Sequence, residues 1–347
     1  MKSSGFAERV LEWQGLHGRH DLPWQGRRDA YRIWLSEVML QQTQVATVIP
    51  YYERFLAHFP DVAALAAAPA ETVMALWAGL GYYSRARNLH ACAKLVVERH
   101  GGRFPQTQAA LAELPGIGRS TAAAIAAFAF GERAAILDGN VKRVFARHFG
   151  IAGWPGAGPV EKALWSRAAQ ELPERGIESY TQGLMDLGAL ICTRSKPRCE
   201  ACPVATSCVA LQEDRIAELP APRPPKARPI RHLTVAILLD EDRVWVEPRG
   251  ARGIWGGLYS LPEFAPELDE AGFSAAVRSE FGLATRSHRP LAELTHDFTH
   301  YRLVMQPWFA RVDAGALAQG SGKWMALSEI EGAALPAPIK RLLATLG

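Results

Sequence analysis

No stretch of these 347 residues is both long and apolar enough to span a bilayer, although 48% of them are hydrophobic. The longest near-apolar run, Thr121 to Phe130, is short and Ala-rich, which suits a packed helix. An export signal is missing too. Lys2, Glu8, Arg9 and Glu12 interrupt the first apolar residues and mark an amphipathic helix start. Charge of one sign is scarce: the formal net charge is +4, so only local basic clusters argue for an anionic partner. Cysteine is nearly absent outside one place, because four of the five fall between positions 192 and 208. In a chain without export, such crowding points to metal rather than to a disulfide framework. Internal repeats are absent as well.

What remains is a globular chain long enough for two or three domains. Residues 1 to about 213 read as helical, rich in Ala, Leu, Glu and Arg with short Gly/Pro punctuation. Expected helices cover 31–46, 47–58, 71–78, 84–100, 119–130 and 140–149. The stretch "IAELPAPRPPKARPIR" (216–231) is Pro-rich and basic, and reads as a semi-rigid linker. Strand-like runs follow in "LTVAILLD", "RVWVEPR" and "HYRLVMQPWFARV", interrupted by a helical segment near 268–281. The chain is therefore expected to join a helical domain to a smaller α+β domain.

Within "IWLSEVML" (33–40), Glu37 has Ile33, Trp34, Leu40 and Gln41 as its helical neighbours. A carboxyl on or beside an apolar stripe either sits at the edge of that stripe or is buried with a raised pKa. Cys192, Cys199, Cys202 and Cys208 have the spacing C-x6-C-x2-C-x5-C. Four such thiolates suit one tetrahedral ion or the corners of an iron–sulfur cube. Arg194, Lys196 and Arg198 fall between the first two, where cations suit phosphate contacts. "LPGIGRSTAAAIAAF" (114–128) sets Gly116 and Gly118 in a turn before a helix N-terminus, a ready anion site. Asp138, in "ILDGNVKRVFARHFG", stands where a helix N-cap is expected, a place compatible with catalysis.

These motifs resemble those of the endonuclease III and MutY family of DNA glycosylases. The cysteine spacing is similar to its [4Fe-4S] loop, "LPGIGRS" to its helix–hairpin–helix, and Asp138 to its catalytic aspartate. Further strings, "LPW", "WLSEVMLQQTQV", "WAGLGYYSRARNLH" and "QGLMDLGALICTRSKPRC", extend the resemblance to the MutY branch over nearly the whole chain. The resemblance implies a helical glycosylase domain over 1–215, with a six-helix barrel at 22–131. An iron–sulfur subdomain would comprise 1–21 and 132–209. After the linker at 216–231, residues 232–347 would form a Nudix-fold, MutT-like α+β domain. It also implies a monofunctional adenine DNA glycosylase acting on adenine opposite 8-oxoguanine or G in duplex DNA. Ser120 stands where the lyase branch carries a Schiff-base lysine.

By the same resemblance Glu37 is the catalytic acid, Asp138 stabilises the cationic sugar and Asn140 positions them. Trp24, Leu40, Ser120, Gln182 and Met185 line the base pocket, with Arg19 or His20 nearby. Gln41, Gln42, Thr43, Leu80 and Tyr82 enter or flank the DNA, where Gly116, Gly118, Arg194, Lys196 and Arg198 meet the backbone. Cys192, Cys199, Cys202 and Cys208 hold one [4Fe-4S] cluster. "THDFTHY" is similar to a lesion-reading loop and offers Phe298, Thr299 and His300 to 8-oxoguanine. The Nudix-like helix keeps Glu280 without the adjacent paired glutamates of a hydrolase, so no pyrophosphatase activity is expected. The expected setting is the bacterial cytoplasm at the nucleoid, as a monomer without membrane contact. The competing readings are an endonuclease III-like glycosylase/lyase acting on oxidised pyrimidines and a non-catalytic DNA-binding module. Ser120 and the second domain argue against the first; Glu37 with Asp138 argues against the other.

Overall fold

The structure is a computed structural model that describes residues 5–225, 227–250, 253–298, 300–313 and 321–346. Its helices in chain order are α1 (Phe6–His17), α2 (Ala30–Leu40), α3 (Val45–His58), α4 (Val62–Ala67), α5 (Ala70–Trp77), α6 (Ser84–His100), α7 (Gln108–Ala112), α8 (Arg119–Ile125), α9 (Gly139–His148), α10 (Gly158–Gln170), α11 (Ile177–Asp186) and α12 (Val209–Gln212). Two compact units emerge, Met1–Ala67 with Ala91–Pro225 and Ala68–His90 with Lys226–Gly347. No helix among the described residues is long and apolar enough to cross a membrane.

In the first unit, α1 lays Phe6, Val10 and Trp13 into a core shared with Phe145 of α9 and with Tyr180 and Leu184 of α11. Phe6 meets Phe145 edge-on, ring centroids 5.6 Å apart. The helix expected over 31–46 stops at Leu40, and a new one starts at Val45. The break falls at Gln42, whose φ of +60° cannot continue a right-handed helix. No glycine or proline marks that break in the sequence. Both α8 and α11 end in π-helical turns, Ala126–Phe130 and Leu187–Ile191. Such turns widen a helix locally and often border functional sites.

In the second unit the strands are β1 (Ile230–Asp240), β2 (Arg243–Pro248), β3 (Tyr259–Ser260), β4 (Glu263–Phe264), β5 (Thr285–Pro290), β6 (Leu294–Asp297), β7 (Arg302–Val312) and β8 (Lys323–Ala326). The main path of the sheet runs β3-β2-β1-β7-β5, with β1 and β7 parallel. Helix α13 (Glu270–Phe281) packs Phe273, Val277 and Phe281 against Ala236, Leu238 and Trp308 of the sheet. Phe273 stacks on Trp308 at 4.9 Å. A final helix, α14 (Ala337–Leu343), closes the chain. Strand β1 begins at Ile230, inside the basic run expected to be linker, because its register with β7 extends to Ile230–Arg302.

Candidate active site

Helix α2 is buried almost all round. Its Asp29 cap accepts from the Arg32 N–H at 3.1 Å, and Ile33, Trp34, Leu35, Val38 and Met39 all sit in the core. Glu37 is half-buried on this helix and lines a cavity. No donor among the described residues reaches that carboxyl. Burial, reinforced by the charge of Asp138, pushes its pKa up to about 8.

Asp138 arrives from a different part of the chain. The buried run Ala134–Leu137 carries it to the start of α9, where Oδ1 accepts from the Val141 N–H at 2.8 Å. Oδ2 accepts from the Asn140 amide at 3.2 Å. Ser120 Oγ accepts from the Leu137 N–H at 2.9 Å and so fixes the residue just before the aspartate. Arg143 completes the frame by donating to Asn140 Oδ1 at 2.9 Å, Gly188 O at 2.7 Å and Cys192 O at 2.7 Å. Gly188 must be glycine, since a Cβ there would lie 2.5 Å from Asn140 Cβ. A helix N-terminus favours an anion. Burial nonetheless raises the pKa of Asp138, with the hydrogen bonds from Val141 and Asn140 and the nearby Arg143 only partly opposing the shift.

One cavity gathers Trp24, Glu37, Leu40, Gln41, Thr43, Ser120, Asp138, Asn140, Gln182 and Met185, together with Arg19 and His20. Trp24 is held edge-on by Tyr52 at 5.4 Å. Behind Gln182 stands Asp186, fully buried and paired with Arg19 at 2.6 Å, a partner that sequence reasoning missed. The clue available was the i,i+4 spacing of Gln182 and Asp186 on α11.

Other expected residues lie elsewhere. Gln42 is exposed at the α2–α3 turn, and Gln41 donates from that turn to Thr121 Oγ1 at 3.3 Å. Gly116 takes φ +78°, whereas Gly118 is an extended N-cap with open space around its Cβ direction. Leu80 and Tyr82 belong to the second unit: Leu80 is buried, while Tyr82 is 46% exposed with φ +50°. Phe298 packs against Trp255 at 5.4 Å and Tyr301 at 4.9 Å, and His300 is exposed. Thr299 lies outside the described residues. Glu280 is exposed near the end of α13, and Glu263 is engaged by Arg249.

Cys192, Cys199, Cys202 and Cys208 are free thiols around one small, apolar-lined cavity. Among the described residues no group of three His, Cys, Asp or Glu side chains suits a single ion. Arg147, almost fully buried, shapes the loop by donating to Thr193 O at 2.7 Å and Arg194 O at 3.0 Å, and it lies 3.4 Å from Cys192 Sγ. The side chains of Arg194 and Lys196 are exposed; Arg198 folds back to Leu190 O at 2.7 Å.

Residues 35–170 match the model of the HhH-GPD superfamily base excision DNA repair proteins, and residues 234–345 match a NUDIX domain. The adenine DNA glycosylase of Buchnera aphidicola (subsp. Schizaphis graminum) is 32% identical over 97% of this chain and 97% of its own length. The chain belongs to the adenine DNA glycosylase family. The human adenine DNA glycosylase is 32% identical over 98% of this chain and 73% of its own length. Among solved structures, a thermostable thymine-DNA glycosylase is similar at TM-score 0.54 and 32% identity, covering 60% of this chain and 95% of its own. An enzyme of base-excision repair that releases adenine from DNA, with a Nudix-like C-terminal domain, accounts for both halves of the chain.

The raised pKa of Glu37 has a consequence for stability. Between the ordinary 4.5 and about 8 the unfolded chain releases this proton while the folded chain keeps it, so stability falls as pH rises through that window. Glu37→Gln removes the effect. Thermal melts of both proteins should show the variant gaining about 1–2 kcal/mol relative to wild type on moving from pH 5 to pH 8. An equal difference at both pH values would refute the buried-acid assignment.

Proposed function

We propose that this enzyme hydrolyses the N-glycosidic bond of adenine mispaired with 8-oxoguanine or G, without a lyase step. The single observation supporting the chemistry is that Glu37 and Asp138 line one cavity in contrasting surroundings. Glu37 has no donor, whereas Asp138 accepts from Val141 and Asn140. Of the two carboxyls, the hydrogen-bonded one gives up the first proton and the other keeps the second.

Extruding the base from the stack costs on the order of a few kcal/mol. The Gln42 and Tyr82 side chains, each presented from left-handed backbone, would fill the duplex, flanked by Gln41, Thr43 and Leu80. The hairpin amides around Gly116 and Gly118, with Arg194, Lys196 and Arg198, would hold phosphates. Trp24, Leu40 and Met185 would enclose the adenine. Protonated Glu37 then donates to N7, and the electrons of the breaking C1′–N9 bond pass to the base. The Asp138 carboxylate stabilises the oxocarbenium-like sugar, held in aim by Asn140. Water adds at C1′ as Glu37, now ionised, takes its proton. Ser120 cannot form a Schiff base, so strand cleavage is not expected.

Phe298, Thr299 and His300 would read the opposite 8-oxoguanine. Cys192, Cys199, Cys202 and Cys208 would hold one [4Fe-4S] cluster, whose contribution is to cross-link and shape the basic loop. The working division is a DNA-binding catalytic part over 1–215, a spacer over 216–231 and a lesion-reading part over 232–347. The proposed working form is a monomer in the bacterial cytoplasm.

Single-turnover assays on duplexes pairing A with 8-oxoguanine, G or C, read before and after alkali, test this directly. Adenine should leave the first two duplexes, with breaks only after alkali. Glu37→Gln should lower the rate by at least about 1000-fold while duplex binding persists, and retained turnover would remove the acid role. Anaerobically purified protein should be brown with broad visible absorption; a colourless preparation with stoichiometric zinc would overturn the cluster.

A further inference from the structure

Arg19 and Asp186 are 167 residues apart in sequence, and Asp186 is fully buried. Its Oδ2 accepts the backbone N–H of Arg19 at 2.8 Å, and Oδ1 accepts Arg19 Nε at 2.7 Å. The same Oδ1 accepts the Gln182 amide nitrogen at 2.8 Å. Nothing in the proposed chemistry requires this pair to touch the sugar or the leaving nitrogen.

Its effect falls on Gln182. A side-chain amide can be turned either way, and its orientation is decided by its partners. A carboxylate paired with a guanidinium offers only acceptors, so the amide of Gln182 must turn its nitrogen towards Asp186. Its carbonyl oxygen is then left facing away, and no donor among the described residues reaches it. Gln182 is itself nearly buried and lines the same cavity as Glu37. The pocket thus presents a fixed acceptor to whatever base enters it.

Adenine and guanine share the N7 acceptor on the major-groove edge but differ beside it: adenine carries the N6 amino donor, guanine the O6 acceptor. A fixed acceptor matches the first and opposes the second. We propose that the Arg19–Asp186 pair is a positioning device that locks the Gln182 carbonyl towards position 6 of the extruded purine, making the site selective for 6-amino over 6-oxo purines. A buried polar group left facing a like partner is the strongest available means of rejection, because neither side can recover its hydrogen bond. This inference rests on the adenine-releasing role of the cavity and adds how the base is chosen.

The test compares single-turnover release of adenine and of hypoxanthine, its 6-oxo counterpart, each opposite 8-oxoguanine, by full-length wild type and Asp186→Asn. Asparagine brings a donor to the position of an acceptor, which frees the Gln182 amide to turn. The adenine-to-hypoxanthine rate ratio should drop at least about tenfold in the variant. An equal slowing on both bases would show that Asp186 only supports the fold and would overturn the proposal. Should Asp186→Asn fail to fold, Arg19→Met, altered at a partly exposed position, must lower the same ratio, and an unchanged ratio in folded Arg19→Met would likewise overturn it. Absence of adenine release by the wild type would instead strike the function itself, and the inference with it.

Discussion

Two carboxyls line one cavity, both largely withdrawn into the protein, and most of the catalytic unit can be understood as the means of holding them there. An ionised carboxylate resists burial, and two resist it more, so Glu37, buried near the charge of Asp138, keeps its proton into the neutral range. Burial comes first, since α2 is packed by core residues on nearly every side except the one that opens on the cavity. The asymmetry between the two is made by hydrogen bonds. Val141 and Asn140 donate to Asp138, and no donor is directed at Glu37.

The support extends to the cysteine loop. Arg143 joins the Cys192 carbonyl to the Asn140 side chain, and Asn140 in turn touches Asp138. Gly188, in the π-helical turn after α11, allows the close approach that this arrangement needs. On the other wall, Arg19 and Asp186 do for Gln182 what Arg143 does for Asn140. In one case the Arg143 guanidinium donates to the amide oxygen of Asn140, and in the other the Asp186 carboxylate, held by Arg19, accepts from the amide nitrogen of Gln182. A guanidinium has only donors and an ionised carboxylate only acceptors, so each fixes which end of its amide it meets.

Much of this was legible in the sequence because it is written locally. Glu37 stood out against apolar neighbours, the cysteines crowded within one short segment, and Asp138 sat at a helix start. The strands and helix of the second unit followed their apolar patterns closely. What stayed hidden was long-range or backbone-conformational. The Arg19–Asp186 pair closes over more than half of one unit's chain, and no periodicity announces it. The left-handed turn at Gln42 lacks glycine or proline, so the pattern ran on through it as if one helix continued to 46. The raised pKa of Asp138 is hidden for a similar reason: the cap is visible in the sequence, but the depth of burial that outweighs it is not.

Everything turns on Glu37 being protonated when the base arrives. The most direct measurement is the pH dependence of single-turnover adenine release, with DNA saturating, from about pH 6 to 10. The rate should hold steady at neutral pH and then fall about tenfold per pH unit above the Glu37 pKa of about 8. A rate that stays flat through pH 9, or one that already falls about tenfold per unit from pH 6 upward, would contradict the buried acid at the centre of the site.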